Sequence, residues 1–388
     1  MKFICQKNDL LQAIQTVSKA VSSKPQNPIL SGIYIKAENN TLELQATDYE
    51  IGIISKIEAE VSEPGNIVLS GRYIQEVIRK LPGVTVEFEY DRQEKISHIR
   101  SNRSHFTLLS MSADDFPIIK KLEANKSFTI MDNVLQELIG RTTFACSNEE
   151  ARPVFTGCLL ELNDASVVMV ATDTKRLAIQ SKVLEEFEGQ NKMIIPSKIL
   201  NEIHKLLSSD MPRPVNISFN SNQISFEFDN TYISSRLIDG QFPDYHRVVP
   251  SDFGTRIKLN TEEFLSVVDR TALISRTNDY NVATMEFANG MVRITSDNPE
   301  IGNSDESIAA EIDGDDIVIS FNADFVSDVL KIINTKEFYM SLNNSLSPAA
   351  IRMLDDESFT YIITPVRTPG NKMILFSSRG VIKEVKYG

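Results

Sequence analysis

The triplet Ala46-Thr47-Asp48 is written again as Ala171-Thr172-Asp173, and a third version follows as Thr295-Ser296-Asp297. Asp173 lies 125 residues after Asp48, and Asp297 a further 124. The surroundings repeat in the same order. "NDLLQAIQTV" precedes the first aspartate, "NVLQELIGRT" the second and "TEEFLSVVDR" the third. "IVLSGRYIQEVIRKL", "IIPSKILNEIHKLL" and "IVISFNADFVSDVLKII" follow them in turn. "PILSGIYIK" from Pro28 matches "PVFTGCLLE" from Pro153, and "DDFPII" matches "GQFPDY". A period held across separate blocks means one structural unit written three times. It sets domains at 1–125, 126–253 and 254–370, with 371–388 as a C-terminal extension.

Each copy reads as two similar halves: a short strand, an amphipathic helix, then several strands. Leu10, Leu11, Ile14, Val17 and Val21 fall on one helical face, as do Ile199, Leu200, Ile203, Leu206 and Leu207. "NQISFEFDNTYISSRL" alternates with the period of a strand, and Asn39-Asn40 and Asn289-Gly290 are hairpin signals. Sheets carrying helices on one face give an α+β class. The three recurring aspartates read as turn or cap acceptors at equivalent strand ends.

Catalytic chemistry finds no support. There is no phosphate-cradling glycine loop and no nucleophile elbow. The four histidines, His98, His105, His204 and His246, form no cluster with cysteine, and the aspartate pairs sit in turn-like contexts. No metal and no cofactor is expected. Cys5, Cys146 and Cys158 match no zinc spacing and read as reduced core residues of a cytoplasmic protein. No apolar run is long enough to span a bilayer, and the N-terminus lacks a secretory h-region.

The net charge of −13 disfavours a chain that coats nucleic acid by bulk positive charge. Cations do collect near helix ends, at Lys19, Arg79, Lys80, Arg141, Lys205, Arg270 and Lys331, with acids near the starts. That ordering complements the helix macrodipole. The same cations could also share a surface facing a polyanion.

The opening "MKF", "NPIL" at Asn27–Leu30, the "ATD" repeats, "TDTKRLAI", "DGQFPDYHRVVP", "NADFVSDVL" and "YIITPVRT" together resemble the bacterial DNA polymerase III beta subunit family, the replicative sliding clamps. The resemblance covers residues 1 to about 370. It implies a non-enzymatic processivity factor. Two three-domain chains pair head-to-tail into a ring of six domains, with helices lining a hole that holds duplex DNA. Sliding then needs many weak phosphate contacts blind to sequence. A repeat-built protein-interaction scaffold without DNA encirclement is the alternative.

The resemblance also implies site residues. DNA-contact positions are Lys24, Arg72, Arg79, Arg152 and Lys198. At the dimer interface, Phe106 and Leu108 would meet Leu273 and Ile274, while Arg103 and His105 would face Glu300, Asp305 and Glu306. A pocket for a short linear peptide would take Phe155, Thr172, Thr174, Arg176, Leu177, Pro243, Arg247 and Val248. Copy three would add Phe325, Leu346, Pro348, Ile362, Ile363, Pro365, Val366 and Arg367. These would form a groove for aromatic and aliphatic anchors rimmed by cations. Thr174 stands where some relatives have Gly, and Thr364 where some have Met. The partners implied are double-stranded DNA, a second copy, the replicative polymerase alpha subunit, the clamp loader, translesion polymerases and mismatch-repair proteins. The segment after Arg367 has no counterpart in the family. It is expected to be a tail, an added strand or a segment that packs locally and tunes access to the pocket.

Overall fold

A computed structural model describes residues 1–22, 25, 27–184, 187, 189–207, 211–275 and 281–367, with the backbone of Met373–Phe376 and Ile382–Val385. The described residues hold six α-helices, one for each half-copy: α1 (Lys7–Val17), α2 (Gly71–Lys80), α3 (Asp132–Gly140), α4 (Ser197–Leu206), α5 (Thr261–Ser275) and α6 (Ala323–Leu330). The two helices of each copy pack on one another. Their inner faces are those the periodicity marks. Leu10, Ile14 and Val17 of α1 are buried, as are Ile199, Leu200 and Ile203 of α4. Each such side chain contributes roughly 1.5–3 kcal/mol relative to exposure. Where α3 packs on α4, Gly140 leaves room for the His204 ring: a Cβ there would lie 2.8 Å from Nε2 of His204. Asn322 caps α6 by accepting the Phe325 amide at 3.2 Å, and Asn260 accepts that of Glu263 at 3.0 Å.

Two compact units are present: Met1–Thr143, Asn148–Met169 and Lys182–Gln241 in the first; Phe144–Ser147, Val170–Ser181 and Phe242–Gly388 in the second. The first unit contains a five-stranded sheet in the order Glu60–Glu63, Lys2–Gln6, Thr85–Asp91, Ile96–Ser101, Ser104–Leu109. It also contains an eight-stranded sheet built half from each of two copies. Lys126–Met131, Pro214–Phe219, Gln223–Phe228 and Thr231–Arg236 come from copy two; Ile51–Glu58, Thr41–Thr47, Gly32–Glu38 and Gly65–Ser70 come from copy one. The seam runs antiparallel, with Ser235 opposite Ile51 and Thr231 opposite Ser55.

The second unit repeats the device. Residues 176–180 of copy two add to copy three, with Arg176 opposite Ile363 and Gln180 opposite Phe359. This is why residues 170–181 group with copy three although the sequence period assigns them to copy two. Four further strands of copy three form a sheet of their own in the order Gly302–Ala309, Met291–Asn298, Val282–Ala288, Ile317–Asn322. Asn39-Asn40 and Asn289-Gly290 turn their hairpins with positive φ at both positions, as the primed turn requires.

All three cysteines are buried and free, and burial, with Asp9 nearby, pushes the Cys5 thiol up to about 12. Among the described residues no helix is long and apolar enough to cross a membrane, and no group of three or more His, Cys, Asp or Glu could hold a metal ion. Met373–Phe376 and Ile382–Val385 pair as an antiparallel hairpin. The side chains of the extension, and its expected packing near a pocket, lie outside the described residues.

Candidate functional site

The two "ATD" turns fold by one set of hydrogen bonds. In copy one, Thr47 Oγ1 donates to the Ile51 carbonyl at 2.7 Å and accepts the Tyr49 amide at 3.0 Å. Asp48 Oδ1 accepts the Glu50 and Ile51 amides at 3.0 and 2.8 Å. In copy two, Thr172 Oγ1 donates to the Arg176 carbonyl at 2.6 Å and accepts the Thr174 amide at 3.0 Å. Asp173 Oδ1 accepts the Lys175 and Arg176 amides at 2.9 and 3.0 Å. Tyr49 and Thr174 both sit in the left-handed region, at φ 73° and 79°, where a glycine would be unstrained. The third aspartate departs from the expected turn role. Asp297 lies on the strand Met291–Asn298, and Asn298 is the residue whose Oδ1 accepts a turn amide, that of Glu300 at 2.9 Å. The turn of copy three is one residue shorter, so the acceptor moves along by one: Asn298 pairs with Gly302 where Thr47 pairs with Gly52.

What distinguishes copy two is the residue that ends its turn. Arg176 is 9% exposed, and each of its guanidinium nitrogens has an acceptor. Nε donates to Asp173 Oδ2 at 3.0 Å, Nη1 to Asp328 Oδ2 at 2.6 Å and Nη2 to the Phe144 carbonyl at 2.8 Å. The guanidinium lies 4.3 Å from the Phe325 ring centroid. Burial opposes its charge, but Tyr361, Asp328 and Asp173 outweigh burial and hold the proton more tightly than usual. Burial pushes the Tyr361 phenol up, and its hydroxyl donates to the Phe325 carbonyl at 2.9 Å. Arg176 is therefore not a cation on the rim of a groove, as expected. It is an internal tie between the turn and α6. Asp328, Phe144 and Tyr361 escaped the sequence reading. Asp328 alone left a trace, three residues after Phe325 and so on the same helical face.

Many of the residues expected to line the pocket belong to the second unit. Leu177 faces Ile362 across the strand pair, and Ile362 and Ile363 continue opposite Ala350 and Ala349. All three apolar side chains are buried. Thr364 donates from both its amide and its hydroxyl to the Lys175 carbonyl, at 2.9 and 2.8 Å. Phe325, Pro348, Pro365 and Val366 are half-buried, and Leu346, Arg367, Pro243, Arg247 and Val248 are exposed. Asn344 Oδ1 accepts the Leu346 and Ser347 amides, both at 2.9 Å, and shapes that loop. Arg247 is held to Asp244 at 3.0 Å. Phe155 belongs to the first unit, where it lies under Arg152, 5.7 Å from ring centroid to guanidinium.

The cations expected to meet DNA belong to the first unit, and Lys24 lies outside the described residues. Arg79 is bound to Glu76 at 2.5 Å, Arg152 to Glu149 at 2.7 Å and Lys198 to Asp48 at 3.4 Å. Arg72 lies 6.0 Å from the ring of exposed Tyr73.

The expected interface residues lie on two end strands, the turns that lead into them and one helix. Ser104–Leu109 ends the five-stranded sheet, with Phe106 40% and Leu109 81% exposed and Leu108 half-buried. Arg103 is exposed in the turn before it. In the second unit, Gly302–Ala309 ends the four-stranded sheet beside α5, where Leu273 is 60% exposed and Ile274 half-buried. Glu300 is exposed in the turn leading to that strand. Asp305 and Glu306 already have partners on their own chain, Arg293 at 2.6 Å and Arg270 at 2.8 Å. Those hydrogen bonds hold both carboxyls below the usual range.

Residues 1–120, 129–244 and 246–367 match the N-terminal, central and C-terminal domains of the DNA polymerase III beta subunit. The beta sliding clamp of Bacillus subtilis (strain 168) is 36% identical over 379 residues, covering 95% of this chain and all of the relative. That of Staphylococcus epidermidis (strain ATCC 12228 / FDA PCI 1200) is 32% identical over 377 residues, with the same coverage. Among solved structures, the Bacillus subtilis sliding clamp superposes with a TM-score of 0.90 at 35% identity. A Pseudomonas aeruginosa sliding clamp bound to griselimycin superposes at 0.89 and 29%. Each superposition covers 95% of this chain and all of the other. Three tandem clamp domains are thus present, and the chain belongs to the DNA polymerase III beta subunit family of sliding clamps.

Proposed function

We propose that this sliding clamp closes as a head-to-tail pair around duplex DNA and acts as a processivity factor without a catalytic site of its own. One observation supports the closure. The strand that follows the turn of copy one joins the last strand of copy two, and the strand that follows the turn of copy two joins the last strand of copy three. By the same rule, the strand after the turn of copy three, Gly302–Ala309, should join the last strand of copy one, Ser104–Leu109. Each of these ends its sheet. A second chain supplies the missing neighbour at both ends, which gives a heterologous contact that must close or polymerise. Joining the five- and four-stranded sheets makes a third composite sheet. Phe106 and Leu108 then approach Leu273 and Ile274, and Arg103 and His105 compete with Arg293 and Arg270 for Asp305 and Glu306.

The phosphate contacts fall to Lys24, Arg72, Arg79, Arg152 and Lys198. The groove over Leu177, Ile362 and Ile363, with Thr172, Thr174, Pro243, Arg247, Val248, Leu346, Pro348, Pro365, Val366 and Arg367 around it, takes the linear peptides of the polymerase alpha subunit, the clamp loader and repair proteins. Domain limits at 1–125, 126–253 and 254–370, a cytoplasmic site of action and a separate extension at 371–388 complete the reading.

The test is topological. The protein is loaded by a cognate clamp loader with ATP onto a nicked circular plasmid, and the plasmid is then cut. Release only after cutting is expected. Equal retention on circle and line would overturn the ring.

A further inference from the structure

On the solvent face of the five-stranded sheet, the side chains of His98 and His105 point at each other. Nδ1 of His98 lies 3.1 Å from Nε2 of His105, and the ring centroids are 5.2 Å apart with a tilt of 35°. Two imidazole nitrogens this close cannot both present lone pairs; a proton or another cation must stand between them. A zinc–nitrogen bond of about 2.0–2.1 Å in tetrahedral geometry separates two ligand nitrogens by about 3.3 Å. The pair thus already stands near the bite of a two-histidine chelate.

The backbone holds that spacing. His98 is on Ile96–Ser101 and His105 on Ser104–Leu109, two strands joined by a two-residue turn, with His98 opposite Thr107 and Arg100 opposite His105. The neighbouring charges permit a cation. Arg100, the nearest guanidinium in register, is bound to Glu89 at 2.9 Å. Glu89 itself lies opposite His98 on the adjoining strand. In the pair proposed above, Asp305 and Glu306 of the second chain would approach His105 and add negative charge beside the site.

We propose that His98 and His105 form a binding site for a borderline-soft divalent cation of the Zn2+, Ni2+ or Cu2+ class, with water completing the coordination. Imidazole suits these ions, and hard cations such as Mg2+ prefer oxygen. The inference stands on the geometry of one chain and does not depend on ring closure.

The experiment is a calorimetric titration of the full chain with Zn2+ alone, repeated with Mg2+. One Zn2+ per chain is expected, with no Mg2+ heat. His98→Ala and His105→Ala should each weaken Zn2+ binding at least tenfold, and His246→Ala should leave it unchanged. Zn2+ binding that survives the double substitution, or is lost in His246→Ala, would overturn the site. So would the absence of Zn2+ heat at millimolar concentration.

Discussion

The turns Thr47–Ile51 and Thr172–Arg176 share their hydrogen bonds, their left-handed third residue and their place at a seam between copies. They differ in the side chain that ends them. Ile51 is buried and apolar, whereas Arg176 reaches Asp328 on α6. Asp328 is the sixth residue of α6, and Glu202 is the sixth residue of α4. In the first unit Glu202 is answered by Lys19 at 3.1 Å and Lys205 at 2.9 Å, so no charge is needed from the turn. One scaffold thus carries an acid at the same helical position in both places and neutralises it by different routes. In copy two that route fixes the turn, α6 and the Phe325 ring together. Rigidity of this kind is what the proposed peptide groove would require.

The comparison can be broken most severely by making copy two resemble copy one. Arg176→Ile strands Asp173 and Asp328. Removing one partner of a buried pair costs about 3–5 kcal/mol, and the partial exposure of Asp328 places the loss near the lower end. Amide exchange at residues 176–180 and 359–363 should rise about a hundredfold, since each 1.4 kcal/mol is tenfold. Adding Asp328→Ala should recover part of that protection, and a strictly additive pair would refute the tie.

A smaller effect separates the two aspartates. Asp48→Ala and Asp173→Ala each remove a turn acceptor, worth roughly 1–3 kcal/mol with a charged partner. Asp173→Ala should be the more damaging, because it also strips Arg176 Nε. Equal losses in urea denaturation would mean that the Arg176 contact adds nothing.

Thr47→Val and Thr172→Val should be nearly alike, at about 1 kcal/mol each, because both hydroxyls make the same two bonds. A marked difference between them would show that the turns are not equivalent.

The smallest effect is one of pH. Burial pushes the Glu202 carboxyl up, but hydrogen bonds from Lys205 and Lys19 outweigh it and hold it below the usual range. Its contribution is therefore complete above the unfolded-state value near 4.3 and is lost as pH falls through the lower folded-state value. Glu202→Gln should remove that part of the acid-side decline, by less than about 1 kcal/mol for such solvent-screened pairs. Thermal scans from pH 6 to pH 3 would measure it.

The sequence made the repeat legible because period and order survive wherever the same core must be filled three times. Leu10, Ile14, Ile199 and Ile203 are buried as their spacing requires. Local chemistry was legible too: Asp48 and Asp173 accept turn amides two and three residues on, within the reach of any reader of the chain. Asp297 misled because a turn shortened by one residue moves the acceptor to Asn298. The burial of Arg176 was not legible, since its acceptor Asp328 is 152 residues away and meets it only through the strand pairing of two copies. The His98–His105 approach had the same obstacle on a smaller scale. Seven residues apart, the two rings meet only because a two-residue turn sets the register.

The seams between copies carry one more consequence. Residues 51–55 with 231–235, and 176–180 with 359–363, are tethered by a single polypeptide. A tether raises the effective concentration of the joined strands, so those seams reseal after any fluctuation whatever the amount of protein present. In the proposed pair, the strands Ser104–Leu109 and Gly302–Ala309 would have no such tether, and their encounter would obey ordinary dilution. In a six-domain closure, four joints would be shut by covalent continuity and only two left as gates. Fusing three copies into one chain thereby decides where a ring of this kind can be opened.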